Sequence, residues 1–318
     1  VAVEASIGAA MYPEDAAEFS ELVELARSAM QQAKSVEGGR FIRYSERLTF
    51  DISGNSSLAA ELRTAARKNQ FELHYQPRID LATGHLVGLE ALLRWNHPER
   101  GLVAPGEFLA ACEDMGLMKT IGYQVIQHAC SAQVWLKEQK LQNVDVAVNI
   151  SFSQIQDDRF VDIVKDIISR TGANPARIEF ELTESTILKS PGGIKARMDE
   201  LRELGISFSL DDFGTGFSQL SHLTELPISA LKIDACFVRD LPHNRHQEAI
   251  CTMIIEMGRR LGMLVVAEGA ETYEQIEFLR DHHCQQVQGC YYSPAIPLQN
   301  LLRFVQEQGQ KRRNQLLC

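Results

Sequence analysis

Nothing in these 318 residues approaches the eighteen or so consecutive apolar side chains of a membrane-spanning helix. The longest apolar segment, around Met263 to Ala267, has the length of a strand. A charged-then-apolar leader is also missing, so no secretory signal is read. Cysteine is sparse and unpatterned: seven residues, an odd number, with no C-x-x-C spacing. That argues against zinc knuckles and disulfide frameworks and for reduced thiols in a cytoplasmic protein. Excess positive charge is absent too. The formal net charge is −10, and an anionic surface repels duplex nucleic acid. A small phosphodiester could still bind where metal ions supply local positive charge. The expectation is a cytoplasmic segment without membrane contact of its own, any anchor being left to segments upstream.

What is present is an ordinary globular balance, 45% hydrophobic and 23% charged, long enough for one large domain and a fragment. The first residues, Val1-Ala2-Val3-Glu4-Ala5, already alternate like a strand, so the chain reads as cut from a longer protein. Residues 1–46 read as strand, turn, helix and strand, with Leu22, Leu25, Ala26, Ala29, Met30 and Ala33 at helical spacing. A polar linker follows at 47–57. From Leu58 to the end, at 58–318, strand and helix patterns alternate. The first two strands, near 71–76 and 86–92, are joined by the short Asp80–His85 segment and should pair antiparallel, whereas the later ones have crossovers. The fold class is therefore α/β: a TIM-like (β/α)8 barrel with one antiparallel strand, preceded by a small α/β fragment.

Seven of the predicted strands end in a carboxylate, an amide or a lysine. The endings are Glu90, Asn149, Glu181, Asp211-Asp212, Lys232, Glu268 and Gln288. One such ending is a solvated strand end. Seven in series converge, because a parallel barrel opens all its C-terminal strand ends on one face, where such barrels do chemistry. Five carboxylates brought together repel one another unless cations sit between them. Oxygen donors without His or Cys suit hard divalent ions such as Mg²⁺ or Mn²⁺. The pattern reads as a polynuclear metal site at the barrel mouth. Asp212-Phe213-Gly214 also matches a kinase tripeptide, but no glycine-rich nucleotide loop or His-Arg-Asp loop accompanies it.

The run Glu90-Ala91-Leu92-Leu93-Arg94 resembles the ExLxR motif of EAL-domain cyclic-di-GMP phosphodiesterases. Asn149-Ile-Ser151, Glu181-Leu-Thr-Glu184, Asp211-Asp-Phe-Gly-Thr-Gly-Phe-Ser218, Lys232-Ile-Asp234, Glu268-Gly-Ala-Glu271 and Gln288-Gly289 follow in the family's order, over roughly 58 to 305. Phe217, Gln219 and Ala270 depart from its commoner residues without removing a polar ligand. Ser6–Ala10 and Ala26–Lys34 resemble the C-terminal end of a GGDEF domain, with Arg27 and Gln31 where Asp and Tyr are usual.

The resemblance implies metal-dependent hydrolysis of cyclic di-GMP to linear pGpG in bacterial second-messenger signalling. The alternative is a catalytically silent EAL domain that serves as a cyclic-di-GMP receptor. By the same resemblance Glu90, Asn149, Glu181 and Asp211 hold one ion, and Asp211, Asp212 and Glu268 a second, with Ca²⁺ inhibitory. Lys232 orients the attacking water, assisted by Glu268, Glu271 and Gln288. Arg94, Gln76 and Asp212 meet the substrate. The loop with Phe213, Gly214, Thr215 and Gly216, pinned by Glu184, couples the site to a homodimer interface. Upstream GGDEF and sensor domains are further expected partners.

Overall fold

The alternating residues Val1–Ala5 lie outside the described residues; just beyond them β1 (Ile7–Ala9) pairs in parallel with β2 (Phe41–Arg43). Parallel neighbours need a crossover, and the connection contains helical residues at 22–23, 25–27 and 29–30. Ala29 is buried there against Ala10 and Leu25. The chain divides into two compact units, Val1–Thr64 and Ala65–Cys318. The computed structural model describes residues 7–13, 15, 22–23, 25–27, 29–30, 41–43, 58–189, 191–214 and 225–315. The expected linker at 47–57 and the loop residues Thr215 and Gly216 lie outside the described residues.

In the larger unit β3 (Phe71–Asp80) and β4 (Leu86–His97) are joined by a tight turn in which Thr83 N donates to Asp80 Oδ1 at 2.7 Å. They pair antiparallel with Gln76 opposite Glu90, as the short connection required. From β4 the sheet continues in parallel through β6 (Asp145–Asn149), β7 (Ile178–Thr183), β8 (Ser207–Phe213), β9 (Ala230–Ile233), β10 (Leu264–Ala267) and β11 (Gln286–Gln288). The last of these pairs antiparallel with β3, Gln286 opposite Asp80, and closes an eight-stranded barrel whose one reversed strand is β3. β5 (Gly101–Val103) extends β4 and β12 (Ile296–Pro297) lies against β3.

Helices α1 (Leu109–Asp114), α2 (Met118–Glu138), α3 (Phe152–Ile155), α4 (Phe160–Thr171), α5 (Glu184–Lys189), α6 (Pro191–Glu203), α7 (Ala235–Val238), α8 (Arg245–Arg260), α9 (Tyr273–Asp281) and α10 (Leu301–Gln315) connect or follow the strands. The strand faces turned outward are apolar. Phe180 of β7 packs between Phe160 of α4, tilted, and Phe208 of β8, edge to face, with ring centroids 6.0 and 6.1 Å away.

The inward faces are different. β7 is Ile-Glu-Phe-Glu-Leu-Thr, buried along five of its six residues, so its two glutamates are inside the barrel. Glu179 receives both terminal nitrogens of Arg78, at 3.0 and 2.7 Å, and both side chains are buried. β3 and β7 are not neighbours in the sheet, so this bidentate pair spans the lumen. Space for the guanidinium exists because residue 88 is glycine; a Cβ there would lie 2.6 Å from Arg78 Nε. Removing one partner of a buried ion pair strands the other charge, at a cost of about 3–5 kcal/mol, whereas replacing both with apolar groups is near neutral. Arg78→Met should therefore lower unfolding stability by about 3–5 kcal/mol, and Arg78→Met with Glu179→Met should recover most of it. Urea denaturation of the three proteins reads both differences.

Candidate functional site

One pleat above the Arg78–Glu179 pair lies a ring built from the ends of the strands. At its centre is Lys232, whose preceding residues Ala230 and Leu231 keep β9 buried along its length. Only 1% of its side chain is exposed, and Nζ lies 2.7 Å from Glu181 Oε2, 3.1 Å from Asp211 Oδ1, 2.6 Å from Glu268 Oε1 and 3.5 Å from Glu90 Oε2. Glu90 is held from two further sides: Asn149 Nδ2 donates to Oε1 at 2.9 Å, and Gln288 Nε2 to Oε2 at 2.5 Å. Gln288 Nε2 also donates to Gln76 Oε1 at 3.0 Å, and Gln76 Nε2 to the Ser293 carbonyl at 3.3 Å. Four sequence-predicted residues, Glu90, Asn149, Gln288 and Gln76, thus form one amide–carboxylate chain around the Lys232 cluster.

Asp211 and Asp212 are consecutive, and in a regular strand they would point to opposite faces. The β8–β9 pairing slips between Leu210 and Phe213, and Asp212 has φ 55°, in the left-handed region that Asp tolerates better than most residues. That bulge lets both carboxylates reach the mouth. Oxygens of Asp211, Asp212 and Glu268 lie within 4.8 Å of one another. Phe213 is buried behind them. Gly214, with φ 97°, turns the chain where a Cβ would meet Phe237 at 3.0 Å.

The electrostatics follow from burial and crowding. Burial drives the Lys232 ammonium toward losing its proton, but Glu181, Glu268, Glu90 and Asp211 hold it charged far above the ordinary lysine range. Burial would likewise raise Glu90, yet Lys232 and the two amide donors hold its carboxyl below the usual value. Glu181 is driven well upward, by burial first and then by the neighbouring carboxylates. Glu268 is pushed up to about 8, by burial first and then by Asp211 and Glu90, against the opposite pull of Lys232. Asp212 is pushed up to about 6 by burial and Asp211.

These residues fit a cation. Glu181 Oε1 is buried with no hydrogen-bond partner among the described residues, although Oε2 is taken by Lys232. Ionised, as ion ligands are, the five carboxylates Glu90, Glu181, Asp211, Asp212 and Glu268 against one ammonium would carry four negative charges, the charge of two divalent ions. All donors are hard oxygens.

Other predicted residues sit further out. Arg94 is on β4 four residues beyond Glu90, half-buried, and donates to the Leu93 carbonyl at 3.0 Å; burial lowers its affinity for its proton. The Glu271 side chain is exposed and outside the cluster, and its backbone N–H donates to Gln275 Oε1 at 2.6 Å in the cap of α9. Glu184 opens α5, buried, with neither carboxylate oxygen hydrogen-bonded among the described residues. A cavity of about 310 Å³ opens beside Asn149, lined by Leu92, Pro105, Leu109, Met118, Val125 and Ile150 among others. Arg78 and Glu179, beneath the site, were invisible to a reading based on strand ends. The signal that could have found them is a buried-strand pattern interrupted by charge two residues before a ligand.

A family model described as "EAL domain" matches residues 59–295. The cyclic di-GMP phosphodiesterase NbdA of Pseudomonas aeruginosa is 37% identical over 95% of this chain, which covers 38% of that protein. The bifunctional diguanylate cyclase/cyclic di-GMP phosphodiesterase MucR of the same organism is 37% identical over 96% of the chain and is covered over 44% of its length. The chain thus spans about two fifths of these curated relatives. Among solved structures, the PaMucR phosphodiesterase in complex with c-di-GMP superposes with a TM-score of 0.75 at 38% identity, covering 77% of this chain and 99% of that one. The EAL enzyme Bd1971 bound to cAMP and cyclic di-GMP gives 0.76 at 29% identity, over 89% and 73% of the two chains.

The raised Glu268 and Asp212 carboxyls set a pH dependence. Folding favours their protonated forms, so their contribution to stability is complete below the ordinary carboxylate range and is lost as pH rises through about 6 for Asp212 and about 8 for Glu268. In excess chelator the melting temperature should fall between pH 5 and pH 9. Millimolar Mg²⁺ should restore more of it at pH 9 than at pH 5. Thermal denaturation at the two pH values checks the sign.

Proposed function

Since the chain belongs to the EAL domain family, we propose that it is a cyclic-di-GMP phosphodiesterase that opens one phosphodiester of the cyclic dinucleotide to give linear pGpG. The observation that carries this reading is the convergence of four carboxylates on Lys232, with Glu90, Glu181 and Asp211 buried, Glu268 half-buried, and Asn149 donating to Glu90 from the exposed rim. Two named relatives are cyclic di-GMP phosphodiesterases, one of them bifunctional, and two solved EAL structures hold the dinucleotide.

Glu90, Asn149, Glu181 and Asp211 would hold one divalent ion, and Asp211, Asp212 and Glu268 a second. Bound there, Mg²⁺ or Mn²⁺ supplies neutralisation of phosphate charge and an activated water. The chain's own residues do the rest. Gln288 and Asn149 fix the Glu90 carboxylate by donating to its two oxygens. The Lys232 ammonium, held charged by its neighbours, faces the reacting phosphate and orients the attacking water. Gln76, hydrogen-bonded to Gln288, and Arg94, four residues beyond Glu90 on β4, would meet the substrate, since a guanidinium suits a phosphate oxygen. The apolar cavity beside Asn149 gives a purine ring a dry place to lie. Under the same reading residues 1–46 are the end of a GGDEF-like domain, and the protein works as a homodimer in the cytoplasm.

Chelation should abolish conversion of cyclic di-GMP to pGpG, Mg²⁺ or Mn²⁺ should restore it, and Ca²⁺ should support little turnover. Glu90→Ala should lower turnover by roughly 10³-fold or more, and Lys232→Ala by roughly 10²–10⁴-fold at saturating substrate. Nucleotide chromatography reads product and rate together. Binding of cyclic di-GMP without any product in Mg²⁺ would instead make the protein a receptor. For the dimer, activity per subunit should fall as dilution converts dimer to monomer. Glu184→Ala should depress turnover in both states; sedimentation and rate measured on the same samples check this.

A further inference from the structure

Four acceptors surround the three N–H donors of Lys232, and all four belong to the residues assigned above to ions: Glu181, Asp211, Glu268 and Glu90. We infer that Lys232 is a tethered counter-ion that competes with divalent cations for these carboxylates and so sets how tightly the site holds them. The inference rests on the metal reading of the site.

Two observations carry it. First, the contacts are those of a ligand set gathered around a cation. Nζ sits 2.6–3.1 Å from oxygens of three different strands and 3.5 Å from a fourth. Second, the ammonium has nowhere else to go. The next carboxylate down the barrel, Glu179, has both oxygens taken by Arg78, a second buried cation that repels Nζ. Upward lies Asp212, which belongs to the same set. With the side chain 1% exposed, bulk solvent does not offer an alternative partner. A divalent ion binding here therefore shares its ligands with a fixed positive charge at a few ångströms, and like charges at that range in a low-dielectric interior repel strongly. The same charge keeps the carboxylates gathered when no ion holds them, since the buried cluster would otherwise spread apart.

The test measures ion binding, not turnover. Mn²⁺ binding to the full 318-residue chain would be followed by the electron paramagnetic resonance of free Mn²⁺, for wild type, Lys232→Met and Lys232→Arg. Removing one positive charge should tighten Mn²⁺ binding by about tenfold or more, while Lys232→Arg, which keeps the charge, should stay near wild type or bind more weakly. Equal or weaker binding by Lys232→Met would overturn the inference, with the metal reading intact as long as wild type binds. Absence of Mn²⁺ uptake by all three proteins would overturn both. Should Lys232→Met fold only with the ion present, the same question is read from stability. The rise in melting temperature between excess chelator and saturating Mn²⁺ should be larger for Lys232→Met than for wild type, and an equal or smaller rise refutes competition.

Discussion

Closing a sheet of eight strands brings their inner faces within one side-chain length of each other, and this chain fills that space with charge. In most small barrels the lumen is packed with branched apolar residues. Here the packing is electrostatic: Arg78 on Glu179 below, Lys232 among Glu90, Glu181, Asp211 and Glu268 above. Every buried charge must find an opposite one, because an unpaired ion in that medium is far costlier than a mismatched methyl group. Much of the remaining architecture serves this constraint. Gly88 makes room for a guanidinium, Asn149 and Gln288 brace Glu90, and the outward faces of the strands supply the apolar burial that the lumen does not.

Much of this was legible in the sequence, for physical reasons. The short Asp80–His85 connection excludes a helical crossover, so the reversed strand follows from length alone. Polar residues at strand ends stand out because buried strands of parallel sheets are otherwise nearly continuous apolar runs. Val-Ala-Val-Asn149 and Ala-Leu-Lys232 are such runs, and their last residues both reach Glu90.

The rest was hidden because it depends on register or backbone geometry. Gln76 read as a strand end, but β3 continues to Asp80, and Gln76 reaches the ring from mid-strand because its strand runs the other way. The bulge that turns Asp211 and Asp212 to the same side needs a left-handed residue that no side-chain pattern announces. Glu271 is expected at the site by resemblance, but the chain has left the strand by then and begins the cap of α9. Arg78 and Glu179 are 101 residues apart, and neither ends a strand, so only the closed barrel joins them.

The reversed β3 has a further consequence, for how the chain must be made. Its pairing with β4 is local, but its other edge is covered by β11, with Gln286 opposite Asp80, and by β12, with Ile296 opposite Tyr75. A ribosome delivers β3 some two hundred residues before the strands that close the seam. Throughout that interval the nascent sheet has an unpaired edge, and an exposed edge is a template for pairing with another chain. A chain ending short of β11 would keep that edge open permanently. Its inward carboxylates would also stand in water on an unrolled sheet, without the crowding that gives Lys232 its four partners.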